Sequence, residues 1–379
     1  MFSGLAASPQ KPLSGQAPRV PRLAVARAGW DQEAAARYLD QRMDLWFTGA
    51  KKLRTGQTEV ACVSCHTVLP YCLARPALRK AAGQETPTPQ ESKVLDGIVR
   101  RVKAYGRREP LYKSENSQSR GTEAVLDLLI LAREDARHKR LGPDEPVREA
   151  LDELWREQRP DGAWAWLDFG LEPYEAADSV YYGAVLAAWA IGNIPGYAGS
   201  SDQGASDHMA RLRAYLNRQY PTQNLYNKTW MLLASCRLSG LLTHRQEQAL
   251  IAELQRRQNS DGGWSLYRLG PWTWSKSSVP SVPPGRPDVS LLSESDGYAT
   301  GLVVYALRQA GVPTRDPVLK RAVEWLKANQ REWQIGQYHW RCWRAYSLNH
   351  AQQRARSWEG MFMSDGATGF AALALLSSD

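Results

Sequence analysis

Residues 254–264 read Leu-Gln-Arg-Arg-Gln-Asn-Ser-Asp-Gly-Gly-Trp, and residues 155–164 read Trp-Arg-Glu-Gln-Arg-Pro-Asp-Gly-Ala-Trp. In both stretches a polar helical segment ends at a Gln, an Asp-Gly pair follows, and a Trp comes six residues after the Gln. The pairs are Gln158 with Trp164 and Gln258 with Trp264. A third and weaker copy, 325–333, has Gln330 and Trp333 in these places. Repetition of this kind indicates a chain assembled from similar helical units.

A second repeated element opens more apolar helical segments. It consists of an Asp followed within five residues by a Gly, and it occurs at Asp178, Asp296 and Asp365. Less faithful copies lie at 120–125 and 226–231. An Asp in this place is a natural N-cap, because its carboxylate accepts hydrogen bonds from first-turn amides. The Gly allows neighbouring helices to approach closely.

Polar segments rich in Arg and Glu alternate with apolar ones along most of the chain. A helix that is apolar on all sides must be buried on all sides, whereas an amphipathic helix can form an outer layer. The alternation therefore predicts an all-α fold, an α/α toroid of roughly a dozen helices in inner and outer rings. Open superhelical arrays and coiled coils are the structural alternatives. The apolar segments are 180–191, 229–240, 298–309 and 367–376.

Composition narrows the class of protein. Of the 379 residues 43% are hydrophobic and 23% charged, which excludes disorder throughout. No apolar run is long enough to span a membrane. The net charge of +9 comes from Lys and Arg interleaved with acids, as in 133–140, so we expect no nucleic-acid partner, although peripheral contact with an anionic membrane is an alternative. The 15 Trp and 16 Tyr suit cavity walls and repeat packing.

The Gln…Asp-Gly-x-Trp copies resemble the Q-W repeats of the squalene–hopene and oxidosqualene cyclase family. The resemblance covers about 145–379, and it implies the α/α toroid that this family shares with the protein prenyltransferases. In the family the Gln and Trp tie a helix end to the next turn. The resemblance implies that structural role for Gln158, Trp164, Gln258 and Trp264.

The chain departs from this family at the catalytic motif. Cyclases protonate an alkene with the central Asp of a D-x-D-D motif, and the corresponding place here reads Ser-Glu-Ser-Asp at 293–296. A proton-bearing carboxylic acid is what such chemistry requires. Asp296, with Glu294 beside it, is thus a candidate catalytic acid. Because Asp296 also occupies the repeated helix-start position, a helix cap is the favoured interpretation.

Cys62, Cys65 and His66 form the motif C-x-x-C-H, the pattern of c-type haem attachment. Two thiols three positions apart on one helical face suit thioethers to the two haem vinyl groups, and the following imidazole suits the iron. A zinc site requires a second ligand pair, and a thioredoxin-like pair requires an adjacent strand–helix unit; the sequence supplies neither. The remaining cysteines are predicted as buried small side chains: Cys72, Cys236 and Cys342.

Covalent haem c would set the location and the partners of the protein. Its attachment occurs outside the bacterial cytoplasm, so we expect a periplasmic or otherwise extracytoplasmic protein, although no signal peptide is evident in the printed sequence. The partner would be a redox protein or a hydrophobic small molecule. The predicted organisation is a flexible leader at 1–29, a helical haem-binding segment at 30–90 and a cyclase-like toroid at 91–379. Candidates for a sixth iron ligand are Met43, Met361, Met363, His339 and His350.

Three functions follow from these features. The first is a c-type haem protein on a toroid scaffold, active in electron transfer or haem-dependent oxidoreduction. The second is a cyclase-like isomerase or lyase acting on a polyprene, and the third is a non-catalytic toroid that binds a lipid, a glycan or a protein. The long segment 265–294, without repeat signal, is expected to cap one mouth of the toroid with Trp272 and Trp274 facing a ligand, or else to pack on the surface.

Overall fold

The computed structural model describes residues 29–137, 144–197, 203–272, 289–349 and 359–377. Within these ranges the chain forms helices and two small hairpins. The helices are α1 (Gln32–Gly49), α2 (Val68–Ala81), α3 (Pro89–Lys103), α4 (Asn116–Arg137), α5 (Glu145–Glu157), α6 (Ser179–Gly192), α7 (Gln203–Gln219), α8 (Leu225–Ser235), α9 (His244–Arg256), α10 (Val289–Leu292), α11 (Gly297–Gln309), α12 (Pro317–Ala328) and α13 (Phe362–Leu376). The strands are β1 (Lys52–Thr55), β2 (Thr58–Ala61), β3 (Arg331–Ile335) and β4 (Tyr338–Cys342).

Six of these helices form an inner ring. Going round it, α2 contacts α4, α4 contacts α6, and the order continues through α8, α11 and α13 back to α2. Each inner helix also packs on an outer one, and the outer helices are α1, α3, α5, α7, α9 and α12. The predicted α/α toroid with inner and outer rings is therefore confirmed, with twelve ring helices in the described part of the chain.

The inner ring consists of the apolar segments, as expected from their composition. In α6 every residue from Tyr181 to Ile191 is buried, and in α11 burial is continuous from Gly297 to Leu307. Outer helices such as α5 bury one face only. Helix α8 lies earlier than the predicted 229–240, because Asn224 caps it at Leu225 and the helix ends at Ser235.

Two of the repeated glycines, Gly301 and Gly369, lie where inner helices meet. A Cβ on Gly301 of α11 would come within 2.5 Å of the Ala371 backbone nitrogen of α13. A Cβ on Gly369 of α13 would come within 2.7 Å of the Pro70 Cβ of α2. Both distances are shorter than side-chain carbons tolerate, so the absence of a side chain sets the spacing between these helices.

The Gln and Trp of each repeat tie a helix to its neighbours by hydrogen bonds. Gln158 Nε2 donates to the carbonyl oxygens of Gly162 and His208, at 3.2 and 3.0 Å, and thereby joins α5 to α7. Gln258 Nε2 makes the equivalent bonds to Gly262 and Val318, both at 2.8 Å, and joins α9 to α12. The indoles of Trp164 and Trp264 donate back to the ends of their own outer helices, at the Leu154 and Leu254 carbonyls.

The third repeat corrects one expectation. The partner of Gln330 in this repeat is Trp343, whose Nε1 donates to the Leu326 carbonyl oxygen at 2.8 Å, and not the predicted Trp333. Strands β3 and β4 pair in antiparallel register between Gln330 and Trp343, with Trp333 opposite Trp340. An inserted hairpin therefore replaces the short Asp-Gly turn and separates the two residues in the sequence.

Gln330 also closes the outer ring. Its Nε2 donates to the Asp31 carbonyl oxygen at 2.8 Å, and its Oε1 accepts from the Asp31 amide at 2.7 Å. Asp31 is the N-cap of α1, and its carboxylate accepts from the Ala34 amide at 2.8 Å. Residues 30–90, predicted as a haem-binding segment, thus complete the ring that the later repeats begin. Among the described helices none is long and apolar enough to cross a membrane.

Candidate functional site

The C-x-x-C-H motif lies between the first hairpin and the inner ring. Residues 62–67 follow β2 and precede α2, so the motif is a turn and not the helix that its spacing predicts. Ser64 Oγ accepts hydrogen bonds from the amides of Thr67 and Val68, both at 3.2 Å. The motif therefore sits at the N-terminal end of α2, with Thr67 at the N-cap position and Ser64 Oγ bonded to the first amide of the helix.

Both sulfurs of the motif are held in the neutral state. Burial raises the pKa of the Cys62 thiol to about 12, although the nearby Arg101 charge opposes the shift. Burial also raises the pKa of Cys65 well above its ordinary value, and the Glu175 carboxylate adds to the shift. Thiolate chemistry, including disulfide exchange and thiolate ligation of a metal, is disfavoured in such surroundings. A thioether carries no charge and meets no such penalty.

His66 is half-buried among aromatic rings. Its imidazole stacks on Phe362, with ring centroids 3.9 Å apart and an interplanar angle of 16°. Trp46 lies edge-on at 5.3 Å, and Tyr174 lies tilted at 6.2 Å. Burial, with the Arg42 charge as the second cause, lowers the pKa of His66 to about 3. The imidazole is therefore neutral at physiological pH.

A chain of hydrogen bonds fixes the orientation and the tautomer of His66. Thr67 Oγ1 donates its proton to Asp365 Oδ2 at 2.7 Å, and it lies 3.0 Å from His66 Nδ1. Since that hydroxyl has one proton only, it accepts from Nδ1–H, and the lone pair of the ring is on Nε2. Among the described residues, Nε2 itself takes part in no hydrogen bond. Phe362 stacks on the face of the imidazole ring, so this contact does not cover the edge of the ring that carries Nε2.

Asp365 anchors this chain in the core. It lies inside α13 and is not the helix N-cap that its place in the repeat predicts. Its carboxylate accepts from Arg42 Nε and Nη2 at 2.7 and 2.9 Å, and from the Tyr38 hydroxyl at 2.7 Å. Asp365 is 1% exposed and Arg42 is 2% exposed. A buried ion pair with these hydrogen bonds thus supports the Thr67 hydroxyl.

Asp296 is the helix cap that the repeat predicts. Its Oδ1 accepts from the Ala299 amide at 2.8 Å, and its Oδ2 accepts from the Leu266 amide at 2.6 Å. Burial raises its pKa to about 7, and these backbone hydrogen bonds oppose the shift. Glu294, the acid expected beside it, is exposed. By contrast Asp178, in the same repeat position, makes no capping bond and accepts from Asn224 Nδ2 at 3.2 Å.

The centre of the ring is filled by aromatic side chains. The hydroxyls of Tyr226 and Tyr298 lie 2.9 Å apart, and both residues are fully buried. Trp272, expected to face a ligand, is 2% exposed; its Nε1 donates to the Tyr267 carbonyl and its ring packs 5.6 Å from that of Tyr226. The other rings of this cluster are Tyr174, Tyr182, Trp230 and Phe370. Trp274 and His350 lie outside the described residues.

A cavity of about 370 Å³ lies beside the motif, beneath the β1–β2 hairpin and between α1 and α3. Cys62 and Val63 line it, but Cys65 and His66 do not. Trp46 lies between His66 and this space: its ring faces the imidazole edge-on, and its Nε1 donates to the Cys62 carbonyl at 2.7 Å. The Cys62 residue therefore borders this cavity, whereas the Cys65 sulfur and the His66 imidazole do not. Its lining includes the apolar residues Met43, Val68, Val94 and Ile98 and the polar residues Lys52, Glu59, Ser92, Lys93, Asp96, Arg100 and Arg101.

The donor set of the motif fits haem c in its chemistry. It offers two neutral sulfurs and one neutral imidazole whose Nδ1–H is donated, which is the arrangement that orients metal-bound histidines. In the described part of the chain, no three His, Cys, Asp or Glu side chains gather in a group suited to a metal ion. The motif thus offers a single nitrogen ligand for an iron, not a complete protein-built metal site.

The fold is similar to that of a glycan-processing enzyme. An unsaturated glucuronyl hydrolase variant solved with dGlcA-Glc-Rha-Glc matches 91% of this chain and 95% of its own, with a TM-score of 0.51 and 14% sequence identity. At that identity the likeness shows the α/α toroid and nothing of the chemistry. No family model matches the chain, and no curated protein matches it. The cyclase resemblance is therefore supported at the level of the toroid only.

Several residues of the site were not found from the sequence. The Arg42–Asp365 pair joins two helices at opposite ends of the chain. Because Asp365 occupies the repeated Asp position, the sequence predicts a helix cap there and not an ion pair. Glu175 follows Tyr174 in the loop before α6, and burial raises its pKa to about 7. The negative charge of Glu175 helps to raise the pKa of the Cys62 and Cys65 thiols. No local pattern distinguishes Glu175 from the other acids of the chain.

Proposed function

We propose that the chain is a c-type haem protein on an α/α toroid scaffold, with Cys62 and Cys65 as the attachment residues and His66 as the axial ligand. The observation that carries the proposal is the hydrogen-bond chain from His66 Nδ1 through Thr67 to Asp365. Iron-ligating histidines need a neutral ring, a free nitrogen and a donated N–H on the other side. His66 has these three properties.

Each residue of the chain has a definite task in this proposal. Thr67 holds the imidazole in the tautomer with the lone pair on Nε2, and Asp365 holds Thr67. Arg42 balances the negative charge of the Asp365 carboxylate, so this charge does not act alone on the imidazole. Haem held at this place supplies one-electron chemistry at its iron. The protein supplies attachment, orientation and a low-dielectric surround.

The sulfurs are suited to attachment because both are neutral and both precede α2 by a few residues. Since Cys62 borders the cavity and Cys65 does not, we expect residues 62–67 to repack when both sulfurs hold one group. The proposal includes an extracytoplasmic location, because haem c is attached outside the bacterial cytoplasm. It also includes a redox protein or a hydrophobic small molecule as the partner. The cyclase alternative has less support, because both carboxylate oxygens of Asp296 accept from backbone amides and aromatic rings fill the ring centre.

The experiment is a pyridine haemochrome spectrum of protein exported through a c-type maturation system. We expect the band of a haem whose two vinyl groups are saturated, and haem that stays on the chain under denaturing electrophoresis. The double variant Cys62→Ser with Cys65→Ser should lose that haem, while Cys236→Ser, at a scattered cysteine, should keep it. A colourless wild-type protein, or covalent haem on the double variant, would contradict the proposal.

The role of Thr67 is tested by the reduction potential of the loaded protein. Thr67→Val removes the acceptor of Nδ1–H, and this makes the imidazole a poorer electron donor to the iron. We expect its potential to lie above that of the wild type, and Thr67→Ser, which keeps the hydroxyl, to lie close to the wild type. Equal potentials for the valine and serine variants would assign Thr67 a purely structural role.

A further inference from the structure

The cavity beside Cys62 has the walls of a small-molecule site. Its volume of about 370 Å³ is within the range of such sites, and it combines buried apolar side chains in its interior with exposed charged and polar side chains from β1, β2 and α3. Met43 and Trp46 of α1 form one side, and Val94 and Ile98 of α3 form the other. All four are at least nine-tenths buried. An apolar group placed against these four side chains would leave water for an apolar surface.

Arg101 provides an unused hydrogen-bond donor at this cavity. Its Nε donates to Asp127 at 3.1 Å and its Nη2 to Glu123 at 3.2 Å, both on α4. Its remaining nitrogen, Nη1, is buried without a hydrogen-bond partner among the described residues. Arg101 is fully buried, lines the cavity and lies close enough to Cys62 to influence its thiol. An unmet donor of this kind costs free energy until an acceptor arrives.

The charge around Arg101 decides which acceptor fits. Arg101 and Arg108 face Glu123, Asp127 and Glu153, so acids outnumber guanidinium groups in this buried cluster. The imbalance shows in Glu153, whose pKa is raised to about 9 by burial and by the Asp127 charge. With Glu153 protonated at neutral pH, two guanidinium groups balance the carboxylates of Glu123 and Asp127, and a further anion would add an unbalanced charge to this buried cluster. A neutral oxygen accepts the hydrogen bond without adding charge.

We propose that this cavity binds a neutral, mainly apolar molecule through a carbonyl oxygen that accepts from Arg101 Nη1. The apolar body lies against the α1 and α3 side chains, and the carbonyl end lies at the buried guanidinium. Trp46 separates this site from His66, and none of the side chains assigned to the ligand belongs to residues 62–67. The sequence predicts a hydrophobic small molecule as a partner but not its chemical class, and this proposal supplies that class.

Three probes with one ring system test the ligand class. They are the ketone α-tetralone, the hydrocarbon tetralin and the anion tetralin-1-carboxylate. Binding is measured on the full chain by calorimetry or by ligand-observed NMR. We expect the ketone to bind at least about tenfold more tightly than the hydrocarbon and than the carboxylate. Tighter binding of the carboxylate would overturn the neutral class, and binding of none of the three would assign the cavity to water.

Two substitutions at Gly97 of α3 locate the site. A Cβ at Gly97 meets only Val60, at 3.7 Å, so Gly97→Ala fits without strain and should leave ketone affinity unchanged. Gly97→Leu sends three further carbons into the cavity, and we expect at least a tenfold loss of affinity at a thermal stability no lower than that of the wild type. Arg101→Lys, which lacks Nη1, should remove the preference for ketone over hydrocarbon. Equal binding by the Ala and Leu variants would place the ligand elsewhere and overturn the proposal.

Discussion

Asp365 and Arg42 form an ion pair in the core, and it is the anchor of the hydrogen bonds around His66. Asp365→Asn leaves the Arg42 guanidinium buried without its counter-charge. Removal of one partner from such a pair costs about 3–5 kcal/mol of unfolding free energy. Urea denaturation measures this loss. Glu33→Gln, in the exposed pair with Arg37, is the control and should cost less than about 1 kcal/mol; equal losses would mean that Asp365 is not a structural anchor.

Glu175 makes stability depend on pH. Its pKa rises from 4.5 to about 7 on folding because the carboxyl is buried, so the folded state binds more protons than the unfolded state between these values. Stability must therefore fall as pH rises through this window, by up to about 1.4 kcal/mol per unit. Glu175→Gln should flatten the profile and be the more stable protein at pH 7. Asp296 is unchanged in both proteins, so parallel profiles would refute the assignment.

At the residue scale the sequence predicts position better than role. The repeated Asp marks the N-terminal region of α6, α11 and α13 in each case, as expected. Only Asp296 caps its helix with its carboxylate, whereas Asp178 bonds to Asn224 and Asp365 to Arg42. The difference comes from partners that lie far away in the chain. A local motif carries no information about them.

At the element scale, two glycines in helices separate packing from helix propensity. Gly369→Ala in α13 places a Cβ 2.7 Å from the Pro70 Cβ, and overpacking of this kind costs about 1–3 kcal/mol. Gly97→Ala in α3 meets no such contact and should stabilise the protein by about 0.5–1 kcal/mol, because alanine favours the helix. Thermal or urea unfolding gives both values. Changes of the same sign would show that the α13–α2 contact does not require glycine.

The elements that the sequence predicts well are those with an unbroken apolar composition or with a repeated motif at their ends. Helices α6, α11 and α13 follow from their apolar composition, and α5 and α9 from the Gln at their ends. The motif at 62–66 was expected on a helix because its spacing suits one. Ser64 instead accepts from the first amides of α2, and the helix starts at Val68 after the motif. The β3–β4 hairpin is an insertion that interrupts a repeat, and repetition cannot predict an interruption.

At the scale of the whole molecule, closure is the property that local patterns do not contain. Alternation of polar and apolar helices predicts two layers, and burial of the apolar layer favours a closed ring. Which helices meet at the closure depends on contacts between the two ends of the chain. Those contacts are Gly369 against Pro70 in the inner ring and Gln330 against Asp31 in the outer one. The candidate site lies at this closure, since Thr67 from one end bonds to Asp365 from the other.

Gln330 is therefore a closing residue as well as a repeat residue. Gln330→Ala removes both hydrogen bonds to Asp31 and leaves the Asp31 backbone groups without them, at a cost of about 1–3 kcal/mol. Gln258→Ala removes the same type of bond within the ring, between α9 and Val318, and should cost a similar amount. The two variants should differ in hydrogen exchange. We expect faster exchange at the start of α1 in the Gln330 variant only, because opening of the ring frees that helix first. If α1 exchanges equally in both variants, Gln330 stabilises only its own turn. In that case the contacts of the inner ring alone hold the two ends of the chain together.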